Sequence, residues 1–72
     1  MQRFGEKLRK LRKKRKLTLV SLANGLGYTT HSYLSEVEAG KKIPTAQFVL
    51  KVARYFEVST DQLMKDEEEI ID

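Results

Sequence analysis

Two short apolar segments, each closed by a glycine, constrain the fold of this chain more than any other feature. The first segment carries leucines at helical spacing and ends at Gly27. The second begins after a pair of threonines, carries Leu34 and Val37 three residues apart, and ends at Gly40. Glycine adopts the left-handed conformation that closes a helix without a Cβ penalty. The sequence therefore predicts two short helices joined by a tight turn.

The chain before this pair predicts one amphipathic helix. Residues 1–16 place Phe4, Leu8 and Leu11 at spacings of four and three, with basic residues on the remaining surface. Thr18 then follows as the expected N-cap of the next helix. A basic amphipathic helix can also lie on an anionic membrane surface. We prefer the core-facing interpretation, because the rest of so small a domain needs Leu8 and Leu11 in its core.

The chain after the pair predicts two further helices. Thr45 is the expected N-cap of a helix that runs to about Phe56. Its expected core face is an apolar stripe made of Ala46, Val49, Leu50, Ala53 and Phe56. Ser59 and Gln62 then fit the S-x-x-Q capping box that opens a short last helix. The predicted fold class is therefore all-α, a compact domain of five helices.

Charge is unevenly distributed along the chain. Formal net charge is +4, yet residues 1–16 hold nine Lys or Arg against Glu6 alone, and residues 66–72 hold five acids and no base. This asymmetry is typical of a nucleic-acid-binding domain with an acidic tail. The alternative is a lysine-rich helix face that is only solvated.

The change of composition after Lys65 also predicts the domain organisation. Residues 1–65 are expected to form the folded domain, and residues 66–72 an acidic C-terminal tail. Such a tail can fray in water. Ile70 and Ile71 are the exception to its polarity, and they could instead pack across a dimer.

Composition argues against several classes of protein. The 72 residues include no cysteine and one histidine, so neither a disulfide nor a structural zinc site is expected. No apolar run approaches the roughly 20 residues that span a bilayer, and no apolar segment follows the basic N-terminus as in a signal peptide. We expect a soluble cytoplasmic protein without a cofactor, metal or small-molecule ligand. No nucleophile–base pair or glycine-rich phosphate loop indicates an enzyme.

Four motifs in order resemble the Cro and phage-repressor type of helix-turn-helix regulator, the XRE family. They are LRKLR at 8–12, LTLVSLANGLG at 17–27, YLSEVEAGKKIPT at 33–45 and VSTDQL at 58–63. The resemblance covers nearly everything from Phe4 to Met64. It implies a repressor-like DNA-binding domain with the helix-turn-helix at helices 2 and 3, where the second helix of the pair enters the major groove. It also suggests backbone strain at Glu57, where family members often carry glycine or asparagine.

The turn inside the helix pair departs from this family. Its two glycines are usually twelve residues apart, whereas Gly27 and Gly40 are thirteen apart. Counting forward from Gly27 would bury Glu36, and an unpaired buried carboxylate is costly. Counting back from Gly40 buries Leu34 and Val37 instead. We therefore expect one extra residue in the turn.

The second helix of the pair, which we call the recognition helix, is predicted over residues 30–39 with Thr30 as its N-cap. A helix that buries Leu34 and Val37 turns its opposite side to solvent. By resemblance, that side reads bases through His31, Ser32, Ser35 and Glu36. A histidine suits guanine N7 or O6, a serine suits most base edges, and a glutamate suits the cytosine amino group. The alternative for the histidine is a surface imidazole without a role.

The resemblance also implies which residues surround the recognition helix. Phosphate contacts are expected through hydroxyls and lysines, and they involve Thr18, Thr29, Thr30, Tyr33, Lys41 and Lys42. Leu19 stands where family members often carry a glutamine that touches phosphate, and its side chain has no donor for this contact. Arg12 and Glu38 are expected to form a buried or half-buried ion pair.

The leading hypothesis for function is a sequence-specific, double-stranded DNA-binding transcriptional regulator. We expect a repressor that binds a near-palindromic operator as a homodimer, with recognition helices one helical turn, about 34 Å, apart. The alternative is a protein-interaction module of antitoxin or anti-regulator type with the same fold. Leu19, Glu36 and the acidic tail favour that alternative slightly.

Overall fold

Five helices and no strand make up the computed structural model, which describes residues 2–70. The helices are α1 (Phe4–Lys14), α2 (Leu19–Gly25), α3 (Ser32–Glu38), α4 (Ala46–Phe56) and α5 (Thr60–Met64). The predicted all-α fold with five helices is thus confirmed. None of these helices, within the described chain, is long and apolar enough to cross a membrane.

One apolar core joins all five helices. Its fully buried side chains include Leu8 of α1, Leu22 of α2, Leu34 of α3, Phe48 of α4 and Leu63 of α5, each with 0% exposure. Helices as short as the seven residues of α2 and α3 are not stable alone in water. Their positions are therefore fixed by this shared core.

The helix caps largely follow the sequence. Thr18 and Thr45 each accept a hydrogen bond from the backbone N–H three residues on, at 3.0 and 3.1 Å. Ser59 and Gln62 form the predicted capping box, in which each side chain accepts from the other residue's backbone N–H. These three N-caps are confirmed, and they place the starts of α2, α4 and α5.

The predicted core face of α4 is partly wrong. Ala46 and Leu50 are exposed, the latter by 48%, whereas Phe48 and Val52 are fully buried. Burying Phe48 removes more apolar surface from water than burying Leu50. Its ring lies 6.1 Å from that of Phe4. The helix is accordingly rotated about its axis relative to the predicted stripe, and its buried residues are spaced by one and three: Phe48, Val49, Val52, Ala53 and Phe56.

Helix α1 crosses α3 at unusually close range because of Gly5. A Cβ atom at Gly5 would overlap the carbonyl oxygen of Val37 and lie 3.0 Å from that of Glu38. Only hydrogen at this position lets the two backbones approach so closely. The backbone at the end of α3 therefore contacts the first turns of α1 directly.

A buried lysine joins α1 to the C-terminal end of the chain. Lys7 is 1% exposed, and its ammonium donates hydrogen bonds to the carbonyl oxygens of Gln62, Lys65 and Glu68 at 2.6, 2.7 and 2.6 Å. These carbonyls belong to the last turn of α5 and the segment after it, where helix geometry leaves acceptors unpaired. The expectation that all the lysines of this helix lie on its surface is therefore wrong for Lys7.

The acidic segment after α5 contacts the start of α1 and the residues before it. The Asp66 carboxylate accepts from the backbone N–H of Arg3 at 2.9 Å, and the Arg3 guanidinium binds Glu69 at 2.6 Å. These contacts lower the pKa of both carboxyl groups, chiefly through the hydrogen bonds from Arg3. Ile70 packs against the core of its own chain. The expectation for Ile71 lies outside the described residues.

Among residues 2–70, two residues other than glycine adopt left-handed backbone conformations, Lys16 and Glu57, each with φ of 57°. Lys16 lies between α1 and α2, and Glu57 ends α4. An L-residue pays a steric penalty of roughly 1–2 kcal/mol in this region. The suggested strain at Glu57 is thus confirmed.

Candidate nucleic-acid interface

Helix α3 presents one apolar and one polar face. Leu34 and Val37 are 0% and 1% exposed and anchor the helix to the core. The residues expected to read bases lie on the other side. Three of them, His31, Ser32 and Ser35, are exposed, and Glu36 is half-buried. The structure thus leaves the polar face open to a ligand, as the periodicity predicts.

The start of α3 differs from the prediction. The helix begins at Ser32 and its N-cap is His31, with φ of −96° and ψ of 1° and no capping hydrogen bond from its side chain. Thr30 was expected at the cap, but its hydroxyl instead accepts from the N–H of Ser32, two residues on, at 3.2 Å. This local bond holds the threonine in the turn and delays the helix by one residue.

Tyr33 has an internal role that sequence reasoning missed. Its ring meets the Phe48 ring edge-on at 5.0 Å and stacks on the Tyr28 ring at 6.0 Å. Its hydroxyl oxygen accepts from the backbone N–H of Thr45 at 3.1 Å, which ties α3 to the start of α4. The hydroxyl proton remains as a donor. A phosphate contact by Tyr33 therefore stays a prediction that depends on this one proton.

The loop after α3 carries two exposed lysines beside the polar face. The ammonium of Lys42 lies 3.4 Å from the Glu36 carboxylate. Both side chains are about half exposed, so the pair adds little stability. The Lys42 ammonium does offset the negative charge of Glu36, which would otherwise repel phosphate. Lys41 is exposed in the same loop.

The three expected threonine contacts differ in availability. Thr29 and Thr30 are exposed in the turn before α3. Thr18 is exposed too, but its hydroxyl already accepts from the Ser21 N–H and donates to the Ser21 hydroxyl at 2.9 Å. A phosphate contact by the Thr18 hydroxyl would have to replace the second of these bonds.

The ion pair between Arg12 and Glu38 is present and largely buried. The guanidinium donates from Nε to Oε2 at 2.8 Å and from a terminal nitrogen to Oε1 at 3.1 Å, and the side chains are 13% and 8% exposed. Its other terminal nitrogen donates to the Leu17 carbonyl at 2.9 Å. The Glu38 hydrogen bond raises the pKa of Arg12. This bidentate contact fixes α3 relative to α1 and to the start of α2.

Known proteins resemble this chain in sequence and in fold. Residues 8–63 match the HTH_3 family, described as helix-turn-helix. The chain is 36% identical over 64 residues to the uncharacterized HTH-type transcriptional regulator YqaE of Bacillus subtilis, covering 89% of this chain and 54% of YqaE. It is also 36% identical over 69 residues to the cryptic phage CTXphi transcriptional repressor RstR of Vibrio cholerae, covering 96% of this chain and 61% of RstR. The chain thus spans little more than half the length of these relatives.

Solved structures agree with the sequence comparison. The P22 c2 repressor, determined in complex with a synthetic operator, superposes with a TM-score of 0.79 at 26% sequence identity. The match covers 89% of this chain and 96% of that protein. With the family match over residues 8–63, these similarities establish the classification. The chain belongs to the HTH_3 helix-turn-helix family, the Cro and phage-repressor type that its motifs resemble.

Proposed function

We propose that this protein is a sequence-specific, double-stranded DNA-binding transcriptional regulator that acts as a repressor. One observation carries the proposal. The seven-residue helix α3 buries Leu34 and Val37 and turns its polar residues outward. A rigid helix with an exposed polar face is what readout of the major groove requires.

The base-reading surface consists of His31, Ser32, Ser35 and Glu36. Two contacts hold this surface at a fixed angle, namely the Arg12–Glu38 pair and the packing of the Tyr33 ring on Phe48. Such support matters because discrimination between bases depends on hydrogen-bond geometry. The carboxylate at position 36 selects a cytosine amino group in this scheme, and Lys42 limits its repulsion of phosphate.

Phosphate contacts flank the base-reading surface in this proposal. Lys41 and Lys42 supply charge from one side, and the hydroxyls of Thr29 and Thr30 supply donors from the turn before α3. Thr18 and Tyr33 contribute through hydroxyls that also have internal partners. Contacts of this kind set orientation on the duplex and carry no base information.

The proposed assembly is a homodimer on a near-palindromic operator. A single α3 contacts only a few base pairs, and two of them about 34 Å apart would enter successive major grooves on one side of the duplex. The resemblance to RstR, named as a transcriptional repressor, and to a P22 c2 repressor bound to operator DNA supports operator binding as a repressor. We propose that the protein acts in the cytoplasm by occluding a promoter. The proposal gives it no catalytic role.

Selection of bound sites from a random DNA pool tests the proposal. We expect one enriched motif with two half-sites centred about one helical turn apart. His31→Ala, Ser32→Ala and Glu36→Ala should each change base preference, by about 1–3 kcal/mol for a good contact. Glu67→Ala removes the same group as Glu36→Ala from an exposed position outside α3 and serves as a control. Unchanged preference in all three variants would refute readout by α3.

A second candidate is a protein-interaction module of antitoxin or anti-regulator type. Two features favour it, namely the apolar Leu19 at the start of α2 and the Glu36 carboxylate within the polar face. Electrophoretic mobility of promoter DNA separates the two candidates. A shift at nanomolar protein that survives competitor DNA supports the regulator, and no shift at any promoter supports the module.

A further inference from the structure

The structure sorts the nine basic residues of positions 1–16 into two groups. Four have structural partners: Arg3 binds the acidic segment, Lys7 is buried, Arg12 pairs with Glu38, and Arg15 donates to the Phe56 carbonyl at 3.2 Å. Lys14 also has an interaction within the protein. In contrast, Arg9, Lys10 and Lys13 on α1 and Lys16 after it are exposed and form no ion pair or hydrogen bond through their side chains within residues 2–70, although the charge of Lys10 helps to lower the pKa of Glu69.

Arg9 lies on the side of α1 that faces α3. It is four residues after Gly5, which contacts the α3 backbone, and three before Arg12, which pairs with Glu38. Residues at these spacings share one helix face. Arg9 borders a surface depression of about 250 Å³ that is also lined by Leu19 of α2 and Ser35 of α3. Arg9 thus borders the proposed base-reading surface at Ser35.

The neighbouring depression extends this basic edge. It has a volume of about 510 Å³, and Arg9, Lys10 and Lys13 line it together with Ala39 and Gly40 at the end of α3. Two carboxylates, Glu6 and Glu38, also line it, and they pair with Arg3 and Arg12. The end of α3 carries the negative end of the helix dipole. A phosphate that passes there needs a cation to offset this charge, and Arg9 with the two lysines provides it.

We infer that Arg9 binds a phosphate of the DNA strand that borders the groove entered by α3, with Lys10 and Lys13 prolonging this contact along α1. The inference rests on the proposed function. If α3 lies in a major groove, the flanking backbone passes the edge that Ser35 and Ala39 share with Arg9. Within that depression Leu19 offers no donor and Arg12 is already paired. Arg9 is therefore the available guanidinium, and arginine binds phosphate through two parallel hydrogen bonds.

The competing explanation is that Arg9 only stabilises the end of α3 through the helix dipole. The two explanations differ in what they change. A dipole effect lowers the stability of the free protein, whereas a phosphate contact changes DNA affinity and its salt dependence while the free protein keeps its stability.

The test measures DNA affinity of Arg9→Gln as a function of salt by fluorescence anisotropy, with a duplex chosen by selection from the random pool. One phosphate contact contributes about −0.9 to the slope of log affinity against log salt. Its loss should weaken binding about 15-fold at 0.05 M salt and about 4-fold at 0.2 M salt. Arg9→Lys should keep the slope, and Lys13→Gln should reduce it further when combined with Arg9→Gln.

Arg54→Gln is the matched control, because Arg54 is exposed on α4 and the depression that it borders includes Gly25 and Tyr55 but no residue of α3. It should leave the slope unchanged. Base preference of Arg9→Gln should equal that of the wild type, since phosphates carry no base information. An unchanged slope in Arg9→Gln, or a lower melting temperature with unchanged affinity, overturns the inference while DNA binding stands. If the wild type binds no duplex, the proposed function itself fails.

Discussion

Replacement of Arg12 by methionine offers the sharpest test of how α3 is held. The guanidinium makes two hydrogen bonds to Glu38 and one to the Leu17 carbonyl, and both partners of the ion pair are at least 87% buried, with 13% and 8% exposure. Arg12→Met leaves a buried carboxylate without a counter-charge. Breaking a buried pair in this way costs about 3–5 kcal/mol.

This cost is large against the stability of the whole domain. At about 0.05–0.15 kcal/mol per residue, a chain of this size has roughly 4–11 kcal/mol in total. A loss of 1 kcal/mol shifts the melting temperature of such a domain by about 4–8 °C, so the substitution should lower it by at least about 12 °C. Urea unfolding followed by circular dichroism measures the same loss at constant temperature.

Two further variants separate the ion pair from simple loss of a side chain. Arg54→Met removes an exposed arginine, and its stability should stay within about 0.5 kcal/mol of the wild type. The double variant Arg12→Met/Glu38→Leu should be more stable than Arg12→Met alone, because the uncompensated carboxylate is gone. If Arg12→Met unfolds like the wild type, or if the two substitutions destabilise additively, the pair is not the buried unit described here.

Three other predictions concern backbone and charge. Gly5→Ala should destabilise by about 1–3 kcal/mol in urea unfolding, because the new methyl meets the rigid Val37 carbonyl; a neutral result would contradict the close crossing of α1 and α3. Glu57→Gly should stabilise by about 1 kcal/mol, since φ of 57° costs glycine nothing; lower stability would mean that its side chain outweighs the strain. The Arg3 amide lowers the pKa of Asp66, so its contribution is complete above about pH 4 and is lost as pH falls through the lowered folded-state pKa. Asp66→Asn should therefore unfold at a lower urea concentration than the wild type at pH 7, and this difference should shrink as pH falls below about 4. A difference that stays constant as pH falls would exclude the ionised contact.

The helices could be predicted from the sequence, because helix caps and apolar periodicity each involve only a few adjacent residues. The threonine and serine caps at positions 18, 45 and 59 were predicted from residue type and lie where expected. The register of α3 was likewise predictable, since only one choice avoids burying Glu36. The start of α3 could not be predicted, because a threonine hydroxyl can accept from the N–H two or three residues on. Local sequence does not decide that Thr30 bonds the Ser32 N–H from within the turn.

Contacts between residues that are distant in the sequence could not be predicted from it. Lys7 looks like any surface lysine until α5 and the following segment bring three carbonyls to its ammonium. The rotation of α4 about its axis could not be predicted either, because Phe48 and Leu50 are both apolar. Which of the two is buried depends on the residues that pack against the helix. The internal hydroxyl bond of Tyr33 requires Thr45, twelve residues away, to be in place first.

The sequence by itself determined the five helices, the family and the polar residues that α3 turns outward, because periodicity, caps and motif spacing are properties of neighbouring residues. Tertiary structure alone decided which cations are structural and which are free. Lys7, Arg9 and Arg12 lie within six residues of one another on α1. Yet one is buried, one is exposed and one is paired, because packing against α3 and α5 gives each a different dielectric environment and a different set of partners.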